Sequence, residues 1–233
     1  MTSAHGTRNP RGPAPRRQAG DRYIPALNRE WLTPIYDLVL RVFFREAEFK
    51  SALVDQALPA GGGSILDVGS GTGTLALALA QRVCCGGLVV GLDGDPEILE
   101  RARAKAVMAH TQIPFVRGMS FALPFAEGSF DRVTSSLMLH HLTEANKART
   151  LCEILRVLRP GGQLHVADFG PPSTRYARTL APLARRLEEA RENIDGRIPE
   201  LVRQAGFVHL AEDKCFSTIL GTIQLLHAER PVR

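Results

Sequence analysis

Short apolar runs alternate with amphipathic stretches through the middle of this chain, and the alternation predicts its elements. Strands are expected at Ser64–Val68, Leu88–Asp93, Phe115–Arg117, Arg132–Ser136 and Gln163–Phe169. Between them, helical spacing of apolar positions predicts helices over Thr74–Arg82, Pro96–Ala109 and Glu144–Leu158. Asp95-Pro96-Glu97 is a strong start signal for the second of these, with an N-cap, a proline at the first helical position and an acid in the first turn. Arg159-Pro160-Gly161-Gly162 is expected to stop the third and to turn the chain into the fifth strand. Strands that alternate with helices in this way form a parallel sheet covered on both faces.

The two ends follow other patterns. From Trp31 to Leu58, the residues Leu38, Val42, Phe43, Phe49, Leu53 and Val54 recur at helical spacing, and Pro59 with Gly61-Gly62-Gly63 stops the segment. Beyond the fifth strand, a polar helix is expected from about Ser173 to Arg191, then a short helix ending at Gln204–Phe207. Two strand-like runs, Phe207–Asp213 and Thr218–His227, close the chain. Their short connection implies antiparallel pairing at the sheet edge. The organisation is therefore an arm (1–22), a helical segment (23–60) and one α/β domain (61–233).

Charge changes this picture little. Of the formal net charge of +5, most comes from Arg8, Arg11, Arg16, Arg17 and Arg22 against Asp21, in an arm rich in Pro and Gly with no aliphatic run. The body is nearly neutral, which argues against a nucleic-acid surface. No run reaches the roughly 18 apolar residues of a membrane span. The cysteines, Cys84, Cys85, Cys152 and Cys215, show no metal-ligand spacing, so no metal is expected. Reduced thiols and the missing leader h-region point to the cytoplasm.

The chemistry is expected at the strand ends, because ligands of open α/β sheets bind outside the carboxyl ends where strand order reverses. The first end reads Asp67-Val68-Gly69-Ser70-Gly71-Thr72-Gly73. Glycines there let main chain approach a ligand closely, and the helix that follows offers unpaired N–H groups. Thr74 stands where a dinucleotide fingerprint needs glycine or alanine, which argues against a dehydrogenase. The second end presents Asp93, a carboxylate able to accept bonds from both hydroxyls of a ribose. The third presents Gly118-Met119-Ser120, the fourth Ser135-Ser136 followed by Leu137-Met138-Leu139-His140-His141, and the fifth Asp168.

The segments ILDVGSGTG, VVGLDGDPEILERAR, ALPFAEGSFDRVTSSLMLHHL and EILRVLRPGG, covering about residues 64–170, resemble the class I S-adenosylmethionine-dependent methyltransferases. The likeness is greatest to the branch containing small-molecule enzymes of ubiquinone and menaquinone biosynthesis. It implies a three-layer, doubly wound, Rossmann-like sheet of seven mostly parallel strands, with an antiparallel last strand and an N-terminal helical lid. It also implies S-adenosylmethionine as cofactor. By the same resemblance, Gly69, Ser70, Gly71 and Gly73 would hold its methionine part and Asp67 its ammonium. Asp93 would hold the ribose, Gly94, Met119 and Ser120 would flank the adenine, and Ser135 or Ser136 would lie beside the sulfonium. Tyr36 and Trp31 would cover the pocket from the lid. The family usually has an acid after the glycine at 118. Met119 cannot accept the adenine amino group as a carboxylate would, a loss on the order of 1 kcal/mol.

Methyl transfer needs alignment and exclusion of water, and a base only where the acceptor must lose a proton. His140 and His141 are the leading candidates for that base and Asp168 the second; packing at the strand-to-helix corner and surface capping are their structural alternatives. The expected acceptor is a small organic molecule, neutral or partly hydrophobic. Carbon, oxygen, nitrogen, sulfur and arsenic all remain open as the methylated atom. The competing readings are an RNA or protein methyltransferase and a catalytically silent cofactor-binding regulator. Oligomeric state is left open.

Overall fold

The computed structural model describes residues 46–84, 86–171, 197–218 and 221–232. The arm, the first part of the helical segment with Trp31 and Tyr36, the region expected as a polar helix, and Cys85 lie outside these residues.

Seven strands form one sheet in the order β3-β2-β1-β4-β5-β7-β6. They are β1 Ser64–Val68, β2 Leu88–Asp93, β3 Phe115–Arg117, β4 Phe130–Ser136, β5 Leu158–Gly170, β6 Val208–Thr218 and β7 Gly221–Glu229. Helices α1 Glu46–Ala57, α2 Thr74–Ala80, α3 Pro96–Met108, α4 Glu144–Val157 and α5 Ile198–Gln204 cover it. Strands β1 to β5 pair in parallel, and β7 pairs antiparallel with both β5 and β6. The chain winds outward from β1 to β3 and returns to β4, so the strand order reverses between β1 and β4.

Each face of the sheet buries one half of the core. Phe49, Leu53 and Val54 of α1 pack with Leu75, Leu79 and Leu99 against Ile65, Val89, Ala167 and Leu225. On the other face, Leu151, Ile154 and Val157 of α4 and Val202 of α5 pack against Leu66, Val133, Leu164 and Val166. Central strands buried on both faces explain the continuous apolar runs, since alternation is expected only where one face meets water. The N-cap of α3 is as expected: the Asp95 side chain accepts from the N–H groups of Glu97 (2.8 Å) and Ile98 (3.3 Å).

The departures from expectation are at boundaries. The three helices after β1, β2 and β4 each stop one or two residues early, at Ala80, Met108 and Val157. Strand β5 begins at Leu158, so Arg159-Pro160-Gly161-Gly162 lies inside a strand where a turn was expected. Leu158 pairs with Phe130 and Gln163 with Arg132, which leaves those four residues opposite Asp131 alone. The excursion is held by its neighbours: Arg159 donates to the Asp131 carboxylate (2.7 Å), and Gly161 N–H donates to the Arg230 carbonyl (2.9 Å). It is a bulge, and Gly161 at φ +75° supplies the backbone it needs. The closing hairpin is longer than expected because the edge strand β6 carries Glu212, Asp213 and Lys214, charges that end the apolar signal while the ladder continues.

Candidate functional site

The connection from β1 to α2 is bent by three left-handed glycines, Gly69 (φ +72°), Gly71 (φ +53°) and Gly73 (φ +73°). Each serves a different purpose. A Cβ on Gly73 would come within 2.8 Å of the Phe115 ring and 3.0 Å of Ala102, so this glycine lets α2 dock on its neighbours. A Cβ on Gly69 would lie 2.3 Å from Cγ of Met138. A Cβ on Gly71 would meet nothing within 4 Å, so that side of the loop is open to an incoming group. The N–H groups of Gly69 and Ser70 both donate to the Leu92 carbonyl, at 2.8 and 2.9 Å, which ties the loop to the end of β2.

Asp93, at that end, completes the tie. Its Oδ2 accepts from Gly71 N–H (2.9 Å) and its Oδ1 from Asp95 N–H (3.0 Å). A carboxylate has about four lone-pair positions, so these bonds leave acceptor capacity for a ligand hydroxyl. Burial raises the Asp93 carboxyl above its ordinary range, while the N–H groups of Asp95 and Gly71 pull it back.

Asp67 is 1% exposed and receives Thr134 Oγ1 on Oδ1 at 3.0 Å. Burial pushes its carboxyl up to about 6, against the opposing pull of Thr134 and the Lys50 charge. Among the described residues, Asp67 Oδ2, Ser70 Oγ, Ser135 Oγ and Ser136 Oγ are buried without a hydrogen-bond partner. Asp67 lies at the end of β1, Ser70 in the loop after it, and Ser135 and Ser136 at the end of β4, where successive side chains face opposite sides of the sheet; Gln56, Arg132 and His165 carry further such atoms elsewhere. Unpaired buried polar atoms cost on the order of 1–3 kcal/mol each, so Asp67 Oδ2, beside the glycine loop, is an acceptor that a polar ligand would satisfy.

The fourth and fifth strand ends join in a way the residues alone did not show. Leu139–His141 form a single 3-10 turn in which the two imidazoles pack on each other, ring centres 3.9 Å apart. His140 is buried and bonds through Nδ1 to Asp168 Oδ1 at 2.9 Å. Asp168 also accepts from Leu139 N–H (2.9 Å) and from its neighbour Phe169 N–H (2.8 Å). It is therefore buried support for His140, and the alternative of surface capping is overturned. Burial would raise the Asp168 carboxyl, but the His140 charge and bond and the Phe169 N–H outweigh it and hold it below the ordinary range. His141 is pushed down to about 4 by burial and by the neighbouring His140, so it stays neutral near pH 7.

Other expected residues divide. Gly94 follows Asp93 at the crevice, its carbonyl accepting from Arg117 Nε (3.4 Å). Met119 turns the chain back, its carbonyl accepting from Ala122 N–H (3.0 Å). The Ser120 hydroxyl is committed to Thr150 of α4 at 2.9 Å, which leaves main chain and Met119 for a base. Two residues were missed. Thr134 supports Asp67 because β4 lies in register beside β1, and Met138 seats on Gly69 because Leu137 takes a left-handed turn at φ +52°. Neither carries a signal in the sequence, since both depend on which strands are neighbours.

Comparison with known proteins agrees with this geometry. Residues 65–162 match the family model described as a methyltransferase domain. The demethylmenaquinone methyltransferase of Thermus thermophilus is 40% identical over 143 residues, 60% of this chain and 64% of that protein. The ubiquinone/menaquinone biosynthesis C-methyltransferase UbiE of Roseobacter denitrificans is 37% identical over 122 residues, 52% of this chain and 48% of that one. The chain thus spans between about half and three fifths of the length of these curated relatives. A solved S-adenosylmethionine-dependent methyltransferase from Methanosarcina mazei superposes with a TM-score of 0.63 at 20% identity, covering 78% of this chain and 98% of that one.

Proposed function

We propose, from the methyltransferase domain formed by residues 65–162, that this chain transfers a methyl group from S-adenosylmethionine to a small organic acceptor. The observation that carries the proposal is the buried Asp67 carboxylate, its Oδ2 without a hydrogen-bond partner, at the end of β1 beside a glycine loop in which a Cβ on Gly71 would meet nothing within 4 Å. The donor set fits the cofactor. A buried carboxylate suits its ammonium, Asp93 suits its ribose diol, and Gly94 with Met119 leaves an apolar seat for its base. When bound, the cofactor supplies an electrophilic methyl group on a sulfonium.

The residues of this chain do the rest. Gly69, Ser70, Gly71 and Gly73 fix the loop, and Asp93 holds it while keeping acceptor positions free. Because Asp168 accepts at Nδ1 of His140, that nitrogen carries a proton, and in the neutral ring Nε2 keeps its lone pair. Nε2 can then take the proton that the acceptor gives up, and the imidazolium is stabilised by the carboxylate behind it. The names of the curated relatives support an acceptor of the quinone kind, and its reduced, hydroquinone form carries the hydroxyl proton that such a base would remove. Tyr36 and Trp31, outside the described residues, are proposed to close the pocket. No helix among the described residues is long and apolar enough to cross a membrane.

The test is titration calorimetry with S-adenosylhomocysteine, the demethylated product, followed by turnover of methyl-labelled cofactor with a short-chain 1,4-naphthohydroquinone. Saturable binding and a methylated product of that hydroquinone are expected. A protein that ignores S-adenosylhomocysteine and binds NADH instead would refute the reading.

A further inference from the structure

Met138 touches both halves of the site, one with its side chain and the other with its main chain. The side chain lies across Gly69: a Cβ there would sit 2.3 Å from Met138 Cγ, 2.8 Å from Cβ and 3.7 Å from Sδ. Real Cβ atoms do not approach that closely, so the thioether occupies the space the glycine leaves. The Met138 carbonyl accepts the N–H of His141 at 3.1 Å. The next residue, Leu139, donates to Asp168, the carboxylate that holds His140.

The residue before it makes the connection stiff. Leu137 is one of three described non-glycine residues with positive φ, at +52°, and its N–H is pinned to the Ala167 carbonyl of β5 (2.8 Å). A left-handed non-glycine residue is costly and persists only where its surroundings over-determine it. The chain leaves β4 through this turn, places Met138 on the glycine loop and enters the histidine turn directly. A displacement of Gly69 must therefore move Met138, and Met138 cannot move without moving the histidine turn.

We propose that Met138 is a positioning residue that couples occupancy of the Gly69–Gly73 loop to the placement of His140 and His141. The proposal rests on the cofactor reading above and goes beyond it. The loop that receives the methyl donor sets the geometry of the base, so the base is aligned when the donor is present. Coupling through directly packed groups is of the size that contacting residues show, about 2- to 100-fold in affinity.

The test follows the histidine ring resonances by NMR while S-adenosylhomocysteine is titrated. In the unmodified chain, saturation is expected to shift the His140 and His141 signals. Met138→Ala is expected to keep S-adenosylhomocysteine affinity within about tenfold, to fold, and to lose at least about half of the ring shift. Met138→Leu, which restores the bulk, should restore the shift.

A second measurement uses the contact itself. Gly69→Ala should weaken S-adenosylhomocysteine binding at least about tenfold in the unmodified chain, and by at least about threefold less when Met138 is alanine, which removes the 2.3 Å contact with Cγ and keeps the 2.8 Å contact with Cβ. The cost of holding an alanine in the left-handed backbone of this position is common to both backgrounds, so the difference belongs to the side-chain contact. A Met138→Ala protein that keeps the full histidine response, or equal Gly69→Ala losses in both backgrounds, would overturn the coupling while leaving the cofactor site intact. A chain that does not bind S-adenosylhomocysteine at all overturns the cofactor reading, and the coupling with it.

Discussion

Replacing Asp168 by asparagine keeps the shape of the side chain and removes its charge. In the structure this carboxylate is 2% exposed and accepts from three donors, Leu139 N–H, His140 Nδ1 and Phe169 N–H, at 2.9, 2.9 and 2.8 Å. An amide offers one oxygen, and its NH2 must then face at least one of those donors. One buried N–H loses its partner, at about 1–3 kcal/mol, and the remaining bonds lose their charge assistance. The sum is a destabilisation of about 3 kcal/mol, the low end for breaking a buried pair by removing one partner. Urea denaturation measures it: the midpoint should fall with little change in slope. The same substitution in a His140→Gln chain should cost less, because one of the three donors is gone. Nitrogen chemical shifts of the ring should show that His140 no longer holds its proton on Nδ1, and turnover should fall at least about a hundredfold, as when another preorganised hydrogen-bond group is removed. A loss of less than about 1 kcal/mol, with the tautomer unchanged, would refute the assignment of Asp168 as the group that orients His140.

Three other outcomes follow from the burial of charge. His165, 1% exposed on β5, is pushed down to about 3 by burial and by Arg132 and His227, and His141 down to about 4. Both are lowered from 6.5, so the unfolded chain binds the extra protons and stability is lost as pH falls below 6.5. Asp67, raised to about 6, opposes this between pH 6 and 4. His165→Phe should flatten the pH dependence of stability over that window by about 1.4 kcal/mol per unit, read from urea midpoints; an unchanged slope sinks the argument. S-adenosylhomocysteine affinity should drop as pH falls below about 6, where Asp67 becomes protonated, and Asp67→Asn should weaken binding and remove that dependence in calorimetry. Asp93→Ala should lower the same affinity at least about tenfold, through loss of both the diol's acceptor and the pin on Gly71. Unchanged affinity in the folded variant would exclude that role.

Much of the molecule was determined by local order along the chain. Ser64–Val68 and Leu88–Asp93 form as expected because a strand buried on both faces needs an unbroken apolar run and a breaker at its end, and Phe115–Arg117 forms as a short edge strand beside the second. Asp95 caps α3 through its own neighbours, and the glycines at 69, 71 and 73 announce a backbone that other residues avoid. The place of Asp67 and Asp93 at strand ends follows from the same runs. Tertiary structure alone decided what those groups meet. Asp168 reaches His140 across 28 residues because β5 lies beside β4. The Ser120 hydroxyl turns to Thr150, and Met138 settles on Gly69, through packing between segments far apart in sequence. Arg159-Pro160-Gly161-Gly162 carries every mark of a turn, yet it stays in a strand because Asp131 and Arg230 hold it from either side. Propensity and periodicity act over a few residues, whereas pairing, burial and the ionisation of buried groups depend on neighbours that only the folded sheet supplies.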